Sequence, residues 1–130
     1  MMNQIEFYES KLAYEMDPSD LFKALENGTD HIVVDTRQDF GYEKEHIPSA
    51  INLPHREISK ATVEGLDKTK IYVCYCDGIG CNASTKGALK LSKLGFQVRE
   101  LIGGIEWWKF DGYETHGVQS FNGAKVNCAC

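Results

Sequence analysis

The stretch Ile71-Tyr-Val-Cys-Tyr-Cys76-Asp-Gly-Ile-Gly-Cys81-Asn-Ala-Ser-Thr-Lys-Gly-Ala-Leu89 decides how this chain folds. Ile71 to Tyr75 is apolar and rich in β-formers, and it closes on Cys76. A glycine-bearing loop runs from Asp77 to Asn82, and a helical pattern follows with Ala88, Leu91 and Leu94 on one face. Strand, tight loop and helix in that order gather backbone N–H groups around one point. The start of the helix adds partial positive charge there. A cysteine at the base of such a cradle gains stabilisation of its thiolate. A reactive thiol beside an anion-binding loop is the favoured reading of this stretch.

Working outward, His31-Ile-Val-Val-Asp35 is a short β-branched run suited to a strand buried on both faces. Gln97 to Ile102 is a further strand, stopped by Gly103-Gly104, and Ile105 to Phe110 is a last helix. On the N-terminal side, Asp17-Pro18-Ser19-Asp20 starts a helix. Asp17 is its cap, Leu21, Phe22 and Leu25 form its apolar face, and Asn27-Gly28 stops it. Residues 5–14 alternate loosely and are expected to form a first, edge strand. Residues 38–44 are polar and hold a short helix or loop. Pro48 and Pro54 bracket a short strand, and Glu57 to Gly65 is expected as a short helix and turn. The central strand is expected over Ile71–Cys76 and the helix after the loop over Ser84–Leu94. Strands alternating with helices, with no internal repeat, imply an α/β domain with a largely parallel sheet and helices on both faces.

The whole chain sets limits. Its 130 residues suit one domain, expected over 1–117 with a loose tail over 118–130. A net charge of −5 argues against nucleic acid or an anionic membrane surface as the main partner. No apolar run approaches the length needed to cross a bilayer. The stretch from Met1 to Glu6 lacks a basic then apolar leader pattern, so the expected compartment is the cytoplasm. Cys74, Cys76, Cys81, Cys128 and Cys130 then read as thiols rather than as a disulfide framework.

Four landmarks in order resemble the single-domain rhodaneses over roughly residues 15–115. Asp35-Thr36-Arg37 is similar to the Asp-x-Arg that closes an early strand in that family. His46-Ile-Pro-Ser-Ala-Ile-Asn-Leu-Pro54 is similar to its His-Ile-Pro-Gly-Ala segment. Tyr75-Cys76 before a loop and helix is similar to its active-site cysteine. Ile102-Gly-Gly-Ile-Glu-Trp107 is similar to its Gly-Gly-x-x-x-Trp end. The resemblance implies a rhodanese-like α/β fold with a five-stranded, mostly parallel sheet between helices. It also implies a sulfurtransferase that moves sulfane sulfur through a cysteine persulfide.

On that reading Cys76 is the catalytic nucleophile. Asp77, Gly78, Ile79, Gly80, Cys81, Asn82, Ala83 and Ser84 form the loop that holds the anionic sulfur. Cys81 stands open between three roles: a resolving thiol, the main nucleophile, or a small apolar filler. The partners implied are a small sulfur donor or a protein persulfide, and a thiol or cyanide-like acceptor, with no cofactor. Residues 77–85 carry no basic side chain and Asp77 is acidic, so turnover with thiosulfate is expected to be slow. A four-thiolate zinc site using Cys128 and Cys130 with Cys74 and Cys76 is disfavoured, because Cys74 should face the core. Asp35 and Arg37 are expected to pair structurally, His46 to bond backbone, and Trp107 and Trp108 to pack. A cysteine phosphatase or arsenate reductase is a weaker alternative. The position its loop arginine would occupy holds Asn82, so the phosphoryl group would lack its bidentate clamp. A non-catalytic binding module of the same fold is the other alternative.

Overall fold

The computed structural model describes residues 1–123. The chain runs α1 (Gln4–Tyr14), β1 (Glu15–Met16), α2 (Pro18–Glu26), β2 (His31–Asp35), α3 (Asp39–Lys44) and β3 (Ile51–Asn52). A single 3-10 turn (His55–Glu57) follows, then β4 (Ile71–Tyr75), α4 (Ala83–Lys93), β5 (Gln97–Leu101) and α5 (Gly104–Phe110). The five strands form one sheet in the order β1-β5-β4-β2-β3, with every pairing parallel. The β4 strand therefore lies at the centre, between β2 and β5, as its apolar run implies.

Period-2 alternation along β4 splits the core into two layers. Val73 and Tyr75 face one layer with Leu21, Val33, Ile47, Leu101, Ile105 and Trp108. Tyr72 and Cys74 face the other with Val34, Ile58, Val63, Leu91 and Phe96. Cys76 is the next residue of the second series, so strand geometry sends its sulfur toward α4. The α2 helix follows its expected chemistry, with the Asp17 carboxylate accepting from the Asp20 N–H at 2.8 Å and Pro18 in the first turn.

The expected first strand over residues 5–14 is a helix instead. Alternation fails at Phe7-Tyr8, whereas Ile5, Tyr8 and Leu12 recur at helical spacing. Asn3 caps it by accepting from the Glu6 N–H at 2.9 Å, and Lys11 pairs with Glu15 at 2.7 Å one turn on. The edge strand is the two-residue β1 that follows. The segment expected as a helix over 57–65 is the 3-10 turn at 55–57 followed by turns. The α4 helix starts one residue earlier than expected, at Ala83.

Two further features bear on the site. Gly104 has φ +61, and a Cβ there would run into the Cys76 carbonyl oxygen. This close approach lets the first turn of α5 grip the residues after β4: Ile105 N–H donates to the Cys76 carbonyl at 3.0 Å and Glu106 N–H to that of Asp77 at 2.9 Å. Beyond Gly117 the chain returns to the body. Val118 N–H donates to Glu43 O at 3.1 Å, Gln119 N–H to Lys44 O at 2.8 Å, and Thr115 N–H to Phe121 O at 2.8 Å. Cys128 and Cys130 lie outside the described residues.

Candidate functional site

The site forms at the carboxyl ends of β2, β3 and β4, where open parallel sheets place their ligands. Cys76 is 2% exposed. Its thiol donates to the Cys81 carbonyl oxygen at 3.1 Å and lies 3.5 Å from the Ser84 hydroxyl. The Gly78 carbonyl is 4.0 Å away. The loop curls back over the strand end because Cys81 N–H donates to Gly78 O at 3.2 Å. Gly80 sits at the bend with φ +94, a conformation that side chains resist.

Of the residues read as the sulfur-binding loop, Ser84 is buried with Cys76. Gly78, Cys81 and Ala83 are half-buried, and Asp77, Ile79, Gly80 and Asn82 are exposed. Asn82 precedes the helix without a side-chain capping bond. Two carbonyls turn toward the sulfur, while the Ser84 backbone N–H at the helix start acts on it in the expected, acidifying sense. Burial pushes the Cys76 thiol up, and the neighbouring Cys81 thiol adds to this; Ser84 at the helix start pulls the other way. The Ser84 hydroxyl proton, however, goes to Glu100 Oε2 at 2.9 Å, and Thr85 donates to the same oxygen at 2.9 Å. A hydroxyl has one proton. While Glu100 holds it, the Ser84 hydroxyl offers the sulfur a lone pair, and only the Ser84 backbone N–H is left to donate from that residue. Cys74 is fully buried on the same face, with burial pushing its thiol up to about 12, so it is inert.

Arg37 is the anchor that the sequence reading left as a structural partner. Asp35 is 0% exposed. Arg37 meets it through Nη2 at 2.7 Å and Nε at 3.0 Å, and donates to Glu45 O at 2.6 Å. Its Nη1 reaches across to Asp77 Oδ1 at 3.1 Å. Burial opposes the guanidinium charge, but Asp35 and Asp77 outweigh it and hold Arg37 protonated. The Tyr75 hydroxyl also donates to Asp35, at 2.7 Å, and burial and then Asp35 push its pKa up.

A cleft of about 510 Å³ opens beside the loop, lined by Arg37, Phe40, His55, Arg56, Asp77 and Cys81 among others. Among the described residues, His55 Nδ1 is buried without a partner. Burial first, then Lys86, Lys90 and Arg56, lower the His55 pKa. The loop itself carries no cation, yet Arg37 and Arg56 line the cleft and Lys86 stands close to His55. Sequence distance hid this, although the strand-end rule pointed at residues 36–37 and 53–56.

His46, Trp107 and Trp108 sit as expected. His46 Nδ1 bonds the Tyr42 carbonyl at 2.7 Å, Trp108 fills the core, and Trp107 stacks on Phe110 at the surface with ring centroids 5.1 Å apart. Among the described residues no cluster of three or more His, Cys, Asp or Glu could hold a metal ion. No helix among them is long and apolar enough to cross a membrane.

Comparison with known proteins gives the same frame. The family model of the rhodanese-like domain matches residues 17–111. This chain belongs to the rhodanese-like domain family. A curated relative, the thiosulfate sulfurtransferase GlpE of Coxiella burnetii (strain RSA 493 / Nine Mile phase I), is 38% identical over 82 residues, covering 62% of this chain and 73% of the relative. The tRNA sulfurtransferase of Thermoplasma acidophilum is 34% identical over 87 residues, which span 61% of this chain but only 17% of that protein. Among solved structures, the BH2092 protein of Bacillus halodurans superposes with a TM-score of 0.86 at 39% identity, over 96% of this chain and 92% of its own. A rhodanese-related protein of Thermoplasma volcanium gives a TM-score of 0.69 at 26% identity, over 79% and 97%. The superposition on the Bacillus halodurans protein covers nearly all of this rhodanese-like chain.

Proposed function

We propose that this rhodanese-like domain is a sulfurtransferase that carries sulfane sulfur on Cys76, with thiosulfate as a competent donor. The observation that carries the reading is the position of Cys76. It ends the central strand, beneath the loop and the start of α4, beside a cleft lined by Arg37 and Arg56. The sulfurtransferases among its relatives support the same class of chemistry.

The Cys76 thiolate attacks the outer sulfur of thiosulfate. The bond between the two donor sulfurs breaks, sulfite leaves with its electron pair, and Cys76 becomes a persulfide. A thiolate or cyanide then attacks the outer sulfur of the persulfide and regenerates the Cys76 thiolate. Arg56 and Lys86 supply the field that draws a dianion toward a loop without cations of its own. For the thiolate to form, the Cys81 carbonyl must turn aside, because a carbonyl oxygen repels the negative sulfur it faces at 3.1 Å. Both the raised thiol and this closed loop fit slow turnover.

Phosphatase chemistry fits the site less well. Arg37 is tied to the loop through Asp77, and Asp35, Asp77 and backbone carbonyls already occupy its guanidinium. Cyanolysis of thiosulfate tests the proposal. Thiocyanate should form with the native chain and not with Cys76→Ser, and an aryl phosphate should not be hydrolysed. A chain that makes no thiocyanate and takes up no sulfur would instead be a binding module.

A further inference from the structure

The loop carries a second thiol that the transfer steps above do not use. Cys81 is a free cysteine, half-buried, and it lines the cleft. Its carbonyl lies 3.1 Å from the Cys76 sulfur, so the Cys81 backbone touches the atom that would carry the persulfide. The Cys81 side chain also adds to the push that keeps the Cys76 thiol protonated. The bend at Gly80 and the bond from Cys81 N–H to Gly78 O at 3.2 Å keep Cys81 folded over the strand end even when its carbonyl turns aside. Cys74, the other thiol nearby, is 0% exposed in the core and cannot compete. Among the described residues, a persulfide on Cys76 would therefore form with one accessible thiol beside it.

Resting on the sulfurtransfer reading, we propose that Cys81 is the resolving thiol of the Cys76 persulfide, so that the domain releases sulfane sulfur as sulfide when no acceptor is present. Cys81 Sγ attacks Cys76 Sγ. A Cys76–Cys81 disulfide forms, the bond from Cys76 Sγ to the outer sulfur breaks, and that sulfur leaves as HS⁻ with the proton from Cys81. The outer sulfur is reduced, and the two cysteine sulfurs are oxidised to the disulfide. A dithiol reductant then reopens the disulfide by exchange and restores both thiols. Over a full cycle thiosulfate and a dithiol give sulfite, hydrogen sulfide and the oxidised dithiol.

The test uses the full chain with an equimolar amount of thiosulfate and neither cyanide nor added thiol. Free sulfide is assayed, and intact and digested protein are weighed after rapid alkylation. The native chain should release roughly one sulfide per chain and carry a Cys76–Cys81 disulfide. Cys81→Ser and Cys81→Ala should hold the added sulfur on the Cys76 peptide and release sulfide at least about tenfold more slowly. A lasting persulfide on native Cys76 with Cys81 still open to alkylation would overturn the inference. So would added sulfur on the Cys81 peptide, which marks a relay instead of a disulfide. If neither the native chain nor the variants take up sulfur or release sulfite, the sulfurtransfer reading itself fails.

Discussion

Arg37 donates to Asp77 at 3.1 Å and thereby ties the end of β2 to the first loop residue after Cys76. The acidic residue that a linear reading sets against an anionic donor is thus half of an ion pair with a residue on the neighbouring strand end. The pair is unequal, because the Arg37 side chain is 13% exposed and that of Asp77 is 72% exposed. Asp77→Asn should free Arg37 Nη1 to face the cleft. The expected result is kcat/KM for thiosulfate about three- to tenfold higher at low salt, with the gain shrinking as salt rises. A gain that ignores ionic strength would mean that Asp77 acts through loop shape and not through charge.

The other side of Arg37 has a different role. Removing it leaves the fully buried Asp35 carboxylate without its cation. Arg37→Ala should cost about 3–5 kcal/mol of folding stability. The exposed link to Asp77 is worth less than about 1 kcal/mol. Urea denaturation of the two variants would show this contrast, and equal losses would refute it.

Cys76 should titrate late. Burial and the Cys81 thiol hold it in the neutral form, so the thiolate fraction at neutral pH is small. Its alkylation by iodoacetamide, read on the Cys76 peptide, should rise about tenfold per pH unit through neutrality and past the ordinary thiol pKa of about 8.5. Glu100→Ala removes the acceptor that holds the Ser84 proton at 2.9 Å, so Ser84 can turn to donate to the sulfur. The profile should move to lower pH, with labelling about fivefold faster at pH 7. A rate that levels off below pH 8 in the native chain would contradict this reading, as would an unmoved profile in the variant.

Ser49 has φ +68, a left-handed conformation that costs a residue with a Cβ about 1–2 kcal/mol. It stands in the segment resembling His-Ile-Pro-Gly-Ala, at the position of the glycine. Ser49→Gly should raise the melting temperature by about 2–4 °C, after allowing for the entropy that glycine regains on unfolding. An unchanged or lower value would mean that the seryl backbone is not strained there.

Much of the frame was legible because its signals are local. His31–Asp35 and Ile71–Tyr75 are short β-branched or aromatic runs, and burial on both faces makes such runs continuous. Asp17-Pro18 announces α2 by its own capping chemistry. The first helix was misread because its apolar residues serve no core. None of Gln4–Tyr14 is buried, so the spacing of Ile5, Tyr8 and Leu12 had to be weighed against a loose alternation. At the site, the cysteine, loop and helix could be read in line. Three contacts could not: Arg37 with Asp77, Ser84 with Glu100, and the Cys81 carbonyl with the Cys76 sulfur. Each joins groups set by strand order or by one peptide's orientation, and neither is written in residue type.

Sulfite release in a single turnover tests the central claim most directly. On mixing the native chain with excess thiosulfate and no acceptor, sulfite should appear in one phase of about one equivalent per chain, the mark of a covalent intermediate. The phase should survive in Cys81→Ser and vanish in Cys76→Ser. No sulfite from the native chain, or an undiminished phase from Cys76→Ser, would show that Cys76 is not the sulfur carrier.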